Sequence, residues 1–274
     1  MHERIREIRI KSSFKNLDYL YANGEIGPQL YHSLKYLLTV RSKDFEGFIN
    51  YLSNNNACNN SSDDNNNFST NKENKKRKAI VAFSGGVDST VSVIISKKIF
   101  NVLGITIQSP IIMNSESKKN ISSLADKLGI SHKFIDVDLE DIEIDTLNGK
   151  YHPCGRCHGK IERAILDYAK DNNINYIIYG DMLSTGYLSI VKEDENILRI
   201  NMPSYLVLTK NENRLLASKT YNIEISQKYG CPLLKKAHKY NKNKKFTIQR
   251  ILREVRAQVI DEKEGLENIL QILF

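Results

Sequence analysis

Long apolar runs are missing from this chain of 274 residues: 41% of it is hydrophobic, yet no stretch approaches the roughly 18 to 20 residues that a membrane-spanning helix needs. A helical membrane span is excluded, and no membrane partner is expected. The first residues, Met1-His2-Glu3-Arg4-Ile5-Arg6, carry charge into the first apolar positions and lack the apolar centre of a secretory signal, so cytoplasmic residence is expected. Cysteine is scarce as well. Cys58, Cys154, Cys157 and Cys231 are the four in the chain, and in a reducing compartment they are poor disulfide partners and better candidates for metal, cluster or redox work. The phosphate-binding pattern G-x-x-x-x-G-K-S/T is absent, which argues against a motor or a GTPase. Repeats of roughly 20 to 50 residues are absent too, so the chain is not a solenoid.

Acidic side chains are the minority charge. Forty Lys and Arg stand against 32 Asp and Glu, a formal charge of +8, which favours polyanions such as RNA through steering and counterion release. Lys, Asn and Ile are abundant throughout, so the location of the charge says more than its sum.

The length allows one substantial core with an appendage. Residues 1–52 form an N-terminal unit in which Leu30, Leu34, Leu37 and Leu38, and then Phe45, Phe48, Ile49 and Leu52, fall at helical spacing. Ile5, Ile8 and Ile10 fit a helix or a strand equally. This unit shows no chemistry and serves either as a docking module or as packing for the main domain. Residues 53–78 are rich in Asn and Ser, end in the basic run Lys75-Lys76-Arg77-Lys78, and read as a disordered linker. Cys58 lies inside the linker and is set aside.

Beyond the linker, apolar runs alternate with helical patterns over residues 79–234. Strands are predicted at Ala79–Phe83, Val102–Gln108, His132–Val137 and Tyr176–Tyr179, with helices to about Phe100, over Ser115–Leu128 and over about His158–Lys170. Such alternation predicts an α/β fold with a parallel, doubly wound sheet, whose ligands bind at the carboxyl ends of the strands. Residues 235–274 complete the chain as a basic, helical C-terminal segment.

The first predicted strand runs into Ser84-Gly85-Gly86-Val87-Asp88-Ser89 and then a helix. Gly85 and Gly86 can take positive φ and admit a phosphate close to the backbone, while the amides of Val87 to Thr90 open a helix whose positive end faces it. Ser84, Ser89 and Thr90 add hydroxyl donors, and Asp88 is the natural carboxylate for holding Mg2+ against phosphates. A plain Gly-Gly turn is the alternative, and the agreement of strand, loop and helix favours the anion cradle.

His152-Pro153-Cys154-Gly155-Arg156-Cys157-His158-Gly159 places two thiols three residues apart in a Pro/Gly turn before a helix whose N-terminus is expected to lower thiol pKa. Cys231 lies in a second turn, Gly230-Cys231-Pro232. Three thiols fall one short of a closed tetrahedral site. A Zn2+ site would draw its fourth ligand from His152, His158 or His238, and redox or persulfide chemistry at Cys154 and Cys157, or plain burial, are further alternatives. Lys160 stands three residues past Cys157, where its cation could stabilise a leaving pyrophosphate or remain on the helix surface.

Lys235-Lys236-Ala237-His238-Lys239-Tyr240 and Lys242 to Lys245 precede a predicted helix from Phe246 to Ile260. Arg250, Arg253 and Arg256 recur on it every third residue and form a track for a phosphate backbone, with a solvated helix face as the alternative. Ile248, Ile251, Leu252, Val255 and Val259 supply its apolar side.

The order S-G-G-x-D-S at Ser84 to Ser89 resembles the signature of the PP-loop ATP pyrophosphatase superfamily, over roughly residues 79–234. The resemblance implies an adenine nucleotide alpha hydrolase-like fold. It also implies cleavage of ATP between the α- and β-phosphates, adenylation of a carbonyl oxygen, release of pyrophosphate and displacement of AMP by nitrogen or sulfur. It places Gln108 at the adenine, Gly180 and Asp181 at the nucleotide site, and Arg199 to Lys210 in the family's later Arg-Pro…Lys segment. Asp181 could alternatively cap a helix, and Arg199 and Lys210 could be surface charges.

The run of a PP-loop, Cys-x-x-Cys and a distant third Cys resembles cluster-dependent tRNA 2-thiolation enzymes. That resemblance implies a 4Fe-4S cluster on Cys154, Cys157 and Cys231 with one open iron, ATP and Mg2+ as cofactors, and Asp88, Asp181, Lys160 and Cys157 as catalytic residues. The nucleotide would be held by Ser84, Gly85, Gly86, Val87, Asp88, Ser89, Thr90, Gln108 and Gly180. The partners implied are tRNA, reached through the basic C-terminal segment, and a sulfur donor, protein or sulfide, with a homodimer allowed. Those thiolases commonly carry Lys where this loop has Val87, and the bounding zinc-finger cysteine pairs of one branch are missing. An amidating or nitrile-forming ligase with zinc, or a non-catalytic ATP-binding subunit, are the alternatives.

Overall fold

The computed structural model describes residues 1–54, 76–225 and 230–274. Most of the predicted linker, with Cys58, lies outside the described residues.

Six strands form one sheet in the order β3-β2-β1-β4-β6-β5. They are β1 (Arg77–Ala82), β2 (Phe100–Gln108), β3 (Ser131–Asp136), β4 (Tyr176–Tyr179), β5 (Ile190–Asp194) and β6 (Ile197–Asn201). All pairs are parallel except the hairpin of β5 and β6 at one edge. The expectation of a doubly wound parallel sheet is met, with that antiparallel edge added. Strand order reverses between β1 and β4, so their carboxyl ends flank the switch point where a crevice must open.

Side chains of β1 alternate between the two faces. Ala79, Val81 and Phe83 enter a large core with α4 (Val87–Ser96), α5 (Ser115–Leu128) and α9 (Lys210–Tyr221), whereas Ile80 joins Ile105, Ile107 and Ile177 beneath α7 (Cys154–Asp171). The N-terminal unit is α1 (Glu3–Ala22), α2 (Pro28–Lys43) and α3 (Phe45–Ser53). Its Leu17, Leu20, Leu34, Leu37, Leu38 and Phe48 belong to that larger core, and the Tyr205 hydroxyl donates to the Leu34 carbonyl at 3.0 Å. The unit thus packs on the main domain. The ambiguous Ile5, Ile8 and Ile10 lie in helix, with Ile5 and Ile8 exposed.

Three boundaries move. The helix expected to run to Phe100 stops at Ser96 because Phe100 already pairs with Arg77. β1 starts at Arg77, inside the stretch read as linker, because β2 offers it a partner there. The tail helix α11 spans Asn241–Arg256, four to five residues earlier than expected at each end, and α12 (Glu262–Leu273) packs on it through Ile251, Ile260 and Ile272. No described helix is long and apolar enough to cross a membrane.

Candidate active site

The loop from β1 to α4 is locked by its own hydroxyls. The Ser84 amide donates to Ser89 Oγ at 3.3 Å, Ser89 Oγ donates to the Gly86 carbonyl at 2.9 Å, and the Gly86 amide lies 3.4 Å from Ser84 Oγ. Gly85 takes φ +72°, and a Cβ there would also stand 2.7 Å from Ile121 Cγ1, so glycine is required twice over. Gly86, expected to share the positive φ, instead caps α4 in extended conformation at φ −77°. The side chains of Val87 and Thr90 turn into the core, which corrects the expectation of a Thr90 hydroxyl donor: the helix phase that aims Asp88 and Ser89 at the crevice aims Thr90 away. Its amide donates to Gly86 O at 3.0 Å.

Asp88 lines the crevice and is held from both sides. Lys210 Nζ lies 2.6 Å from its Oδ2 and Asn213 Nδ2 lies 2.9 Å from its Oδ1. Both partners come from the first turn of α9, which Thr209 and Glu212 start with a reciprocal capping box. At the end of β4, Gly180 passes so near the loop that a Cβ would sit 2.9 Å from the Ser89 amide nitrogen. Asp181 follows, and no helix starts at it. Its carboxylate accepts the Leu183 amide at 2.9 Å and the Ser184 hydroxyl, closing a local turn beside the crevice. Behind it Arg9 of α1 is buried and donates to the Met182 carbonyl at 3.2 Å. Burial lowers the Arg9 pKa and the nearby Asp181 charge opposes that shift.

The crevice is an open cleft of about 1300 Å³, and α11 forms part of its wall. Phe246, Gln249, Arg250, Arg253 and Arg256 line it from one face of that helix, in the same cleft as Ser84, Asp88 and Ser89. The expected apolar side is reassigned at Leu252, which is 52% exposed on the cleft side, while Ile251 and Val259 are buried. Arg199 of β6 lies 4.2 Å over the Tyr179 ring and 2.9 Å from Glu162, and all three line the cleft. Burial pushes the Tyr179 phenol well up.

α7 begins at Cys154 itself, so Cys154 and Cys157 occupy its first turn. The lowered thiol pKa expected there is overturned. Burial, followed by the charge of the neighbouring thiols, pushes Cys157 up to about 11, and burial also raises Cys154 against the opposing Arg250 charge. Desolvation outweighs the helix terminus because Cys157 is packed with Leu139, Ile142, Leu233 and Cys231. Cys231, capping α10 (Pro232–Ala237), acts electrostatically on both other thiols, and Cys154 opens onto the cleft.

Among the described residues, no three His, Cys, Asp or Glu side chains are grouped to hold a single metal ion. His152 Nε2 and His238 Nε2 both engage Thr247 Oγ1, at 3.0 and 2.9 Å, and His152 Nδ1 lies 3.4 Å from the Cys154 amide nitrogen. Neither imidazole is turned to complete a Cys3His set. The donor set, three free thiols with Cys157 and Cys231 packed together, is of the kind that binds a group through thiolates, and a cationic centre there would oppose the burial that raises Cys154 and Cys157.

Lys160 and Gln108, like Val87, Thr90, Cys157 and Cys231, are not on the cleft wall. Lys160 pairs with Asp141 at 2.6 Å and with the Asp138 carbonyl at 3.1 Å, because Cys154, His158, Ile161 and Glu162 carry the cleft-facing side of α7 and Lys160 is out of phase with them. Gln108, ending β2, donates to Asp136 at 2.8 Å and is not on the cleft wall. Sequence reasoning missed Asn213, Glu162 and Arg9. For Asn213 the Thr209-x-x-Glu212 capping box was the available signal, whereas Arg9 and Glu162 have no local one.

The family model for NAD synthase matches residues 66–187. An uncharacterized protein of Methanocaldococcus jannaschii is 43% identical over all of this chain and 95% of its own length. The tRNA-specific 2-thiouridylase MnmA 2 of Fusobacterium nucleatum is 32% identical over 41% of this chain, which covers 36% of that enzyme, so the chain spans about a third of its length. Among solved structures, the U34-tRNA thiolase NcsA of Methanococcus maripaludis, described with its 4Fe-4S cluster, aligns at 17% identity and a TM-score of 0.40, covering 68% of this chain and 74% of that one. With the loop Ser84 to Ser89 at the switch point of a doubly wound sheet, the chain belongs to the PP-loop ATPase superfamily, and to the same family within it as the M. jannaschii protein.

Proposed function

We propose that this protein is an ATP-dependent sulfur transferase that adenylates a carbonyl oxygen of a tRNA base and replaces that oxygen with sulfur. The observation that supports the reading is that Cys154 opens onto the same cleft as Ser84, Asp88 and the α11 arginines, so the phosphate loop, one of the three thiols and a row of cations share one space. The similarity to a tRNA-specific 2-thiouridylase supports it.

The amides at the start of α4 and the hydroxyls of Ser84 and Ser89 hold the phosphates. Asp88 would hold Mg2+ against them. Lys210, paired with Asp88, would stabilise the charge that develops on the leaving pyrophosphate. The carbonyl oxygen of the base attacks the α-phosphorus and pyrophosphate departs. Hydrosulfide then adds to the activated carbon at the thiol end of the cleft and AMP leaves with the original oxygen. Base carbonyl, ATP and HS⁻ thus give thiocarbonyl, AMP and pyrophosphate. Cys154, Cys157 and Cys231 would hold a 4Fe-4S cluster, which supplies an iron with an open position to carry sulfide. The half-buried Cys154 keeps that site within reach of the cleft.

Anaerobic purification followed by iron, zinc and acid-labile sulfide analysis tests the thiol assignment. About four irons with matching sulfide per chain are expected. Stoichiometric zinc without sulfide would instead favour an amidating ligase.

A further inference from the structure

Phe246 is 56% exposed, yet it points into the cleft and not away from the protein. Its ring stands 5.9 Å from that of His152 at 63°, and His152 in turn meets the Cys154 amide. A single exposed ring is ordinary on a protein surface, but this one lines the cleft that also holds Ser84, Asp88 and Cys154. Its surroundings indicate what kind of molecule it would receive. Arg253 and Arg256, about two and three turns further along the same face of α11, are exposed and make no ion pair among the described residues. An aromatic ring flanked by cations along a groove is the arrangement that binds an unstacked nucleotide, with the base on the ring and the backbone on the cations.

We propose that Phe246 is the stacking platform for the acceptor base, holding it out of the RNA stack beside Cys154 while Arg253 and Arg256 carry the flanking phosphates. This rests on the tRNA reading above and adds to it the residue that receives the base. The position suits the chemistry: a base on Phe246 lies beside His152, which meets Cys154, and in the same cleft as the phosphate loop. A duplex base cannot reach that point without leaving its stack, at a cost that stacking on the ring offsets.

The chain contains no tryptophan, so Phe246→Trp introduces a single reporter at the platform. Unfractionated tRNA is expected to quench its emission, and ATP alone is not. Phe246→Ala is expected to weaken tRNA binding, read by mobility shift, by about tenfold or more, with ATP affinity and thermal midpoint unchanged, and Phe246→Tyr is expected to restore binding. Retention of tRNA with unmoved Trp emission, wild-type tRNA affinity in Phe246→Ala, or quenching by ATP alone would each overturn the platform while leaving the tRNA reading intact. Failure of every variant and of the wild type to bind tRNA would overturn both.

Discussion

Lys210 Nζ sits 2.6 Å from Asp88 Oδ2, joining the first turn of α9 to the first turn of the phosphate-loop helix across 122 residues of sequence. Its neighbours tie that same turn to the rest of the molecule. Glu212 takes Arg6 and Arg41 of the N-terminal helices at 2.9 and 2.8 Å, Asn213 holds Asp88, and Arg214 pairs with Glu264 of α12. One helical turn therefore fixes the N-terminal unit, the nucleotide loop and the tail relative to one another.

Removal of the Lys210 cation leaves a part-buried carboxylate facing the incoming triphosphate and removes a donor from the leaving group. Lys210→Ala should lower AMP formation about 100-fold, with Lys210→Arg recovering part of it. Steady-state AMP release checks this, and a wild-type rate in Lys210→Ala would contradict the role.

Gly180→Ala places a methyl group 2.9 Å from the Ser89 nitrogen and 3.0 Å from the Asp88 carbonyl carbon, both backbone atoms that cannot yield. The end of β4 and the loop must separate. Stability should fall by about 1–3 kcal/mol, and ATP affinity should fall more than that loss alone would produce. Calorimetric titration with a non-hydrolysable ATP analogue, alongside denaturant unfolding, separates the two effects.

Arg41 and Glu212 show 3% and 13% side-chain exposure. Burial lowers the Arg41 pKa while Glu212 opposes that shift. Arg41→Met leaves the Glu212 carboxylate with Arg6 as its remaining cation beside the Thr209 cap and should cost about 3–5 kcal/mol in urea unfolding. A loss below about 1 kcal/mol would show that the network is solvated.

His132 lies under the phosphate loop, 2.8 Å from Thr106 Oγ1 and edge-on to Phe83. Burial lowers its pKa, with Asp126 opposing. A basic group with a depressed folded pKa contributes stability that is full above the ordinary imidazole value of 6.5 and is lost as pH falls through the folded value. The protein should therefore weaken below that pH, and His132→Leu should flatten that part of the curve. Thermal midpoints recorded from neutral to acid pH read it directly.

Much of this was legible in the chain, for a reason that also explains the gaps. The loop Ser84 to Ser89 and the strands around it are local patterns, written in adjacent residues. The match of Ser115–Leu128 to α5 and of Tyr176–Tyr179 to β4 likewise needs only periodicity. Lys160 failed as a cleft residue because proximity along the sequence to Cys157 says nothing of helix phase. The thiol shift at Cys157 went the other way because its sign is set by Leu139, Ile142 and Leu233, which only the fold brings near. The three arginines of α11 were visible as a stripe, but that the stripe lines the same cleft as Asp88 depends on where the tail docks.

The proposed chemistry is one reaction in one cleft. Purified protein, reconstituted anaerobically and given ATP, sulfide and unfractionated tRNA, should form a thionucleoside and AMP in equal amounts by nucleoside mass spectrometry, and Cys157→Ala should form neither the thionucleoside nor the AMP coupled to it. AMP released with tRNA present but no sulfur entering any nucleoside, or an equal yield from Cys157→Ala, would contradict it.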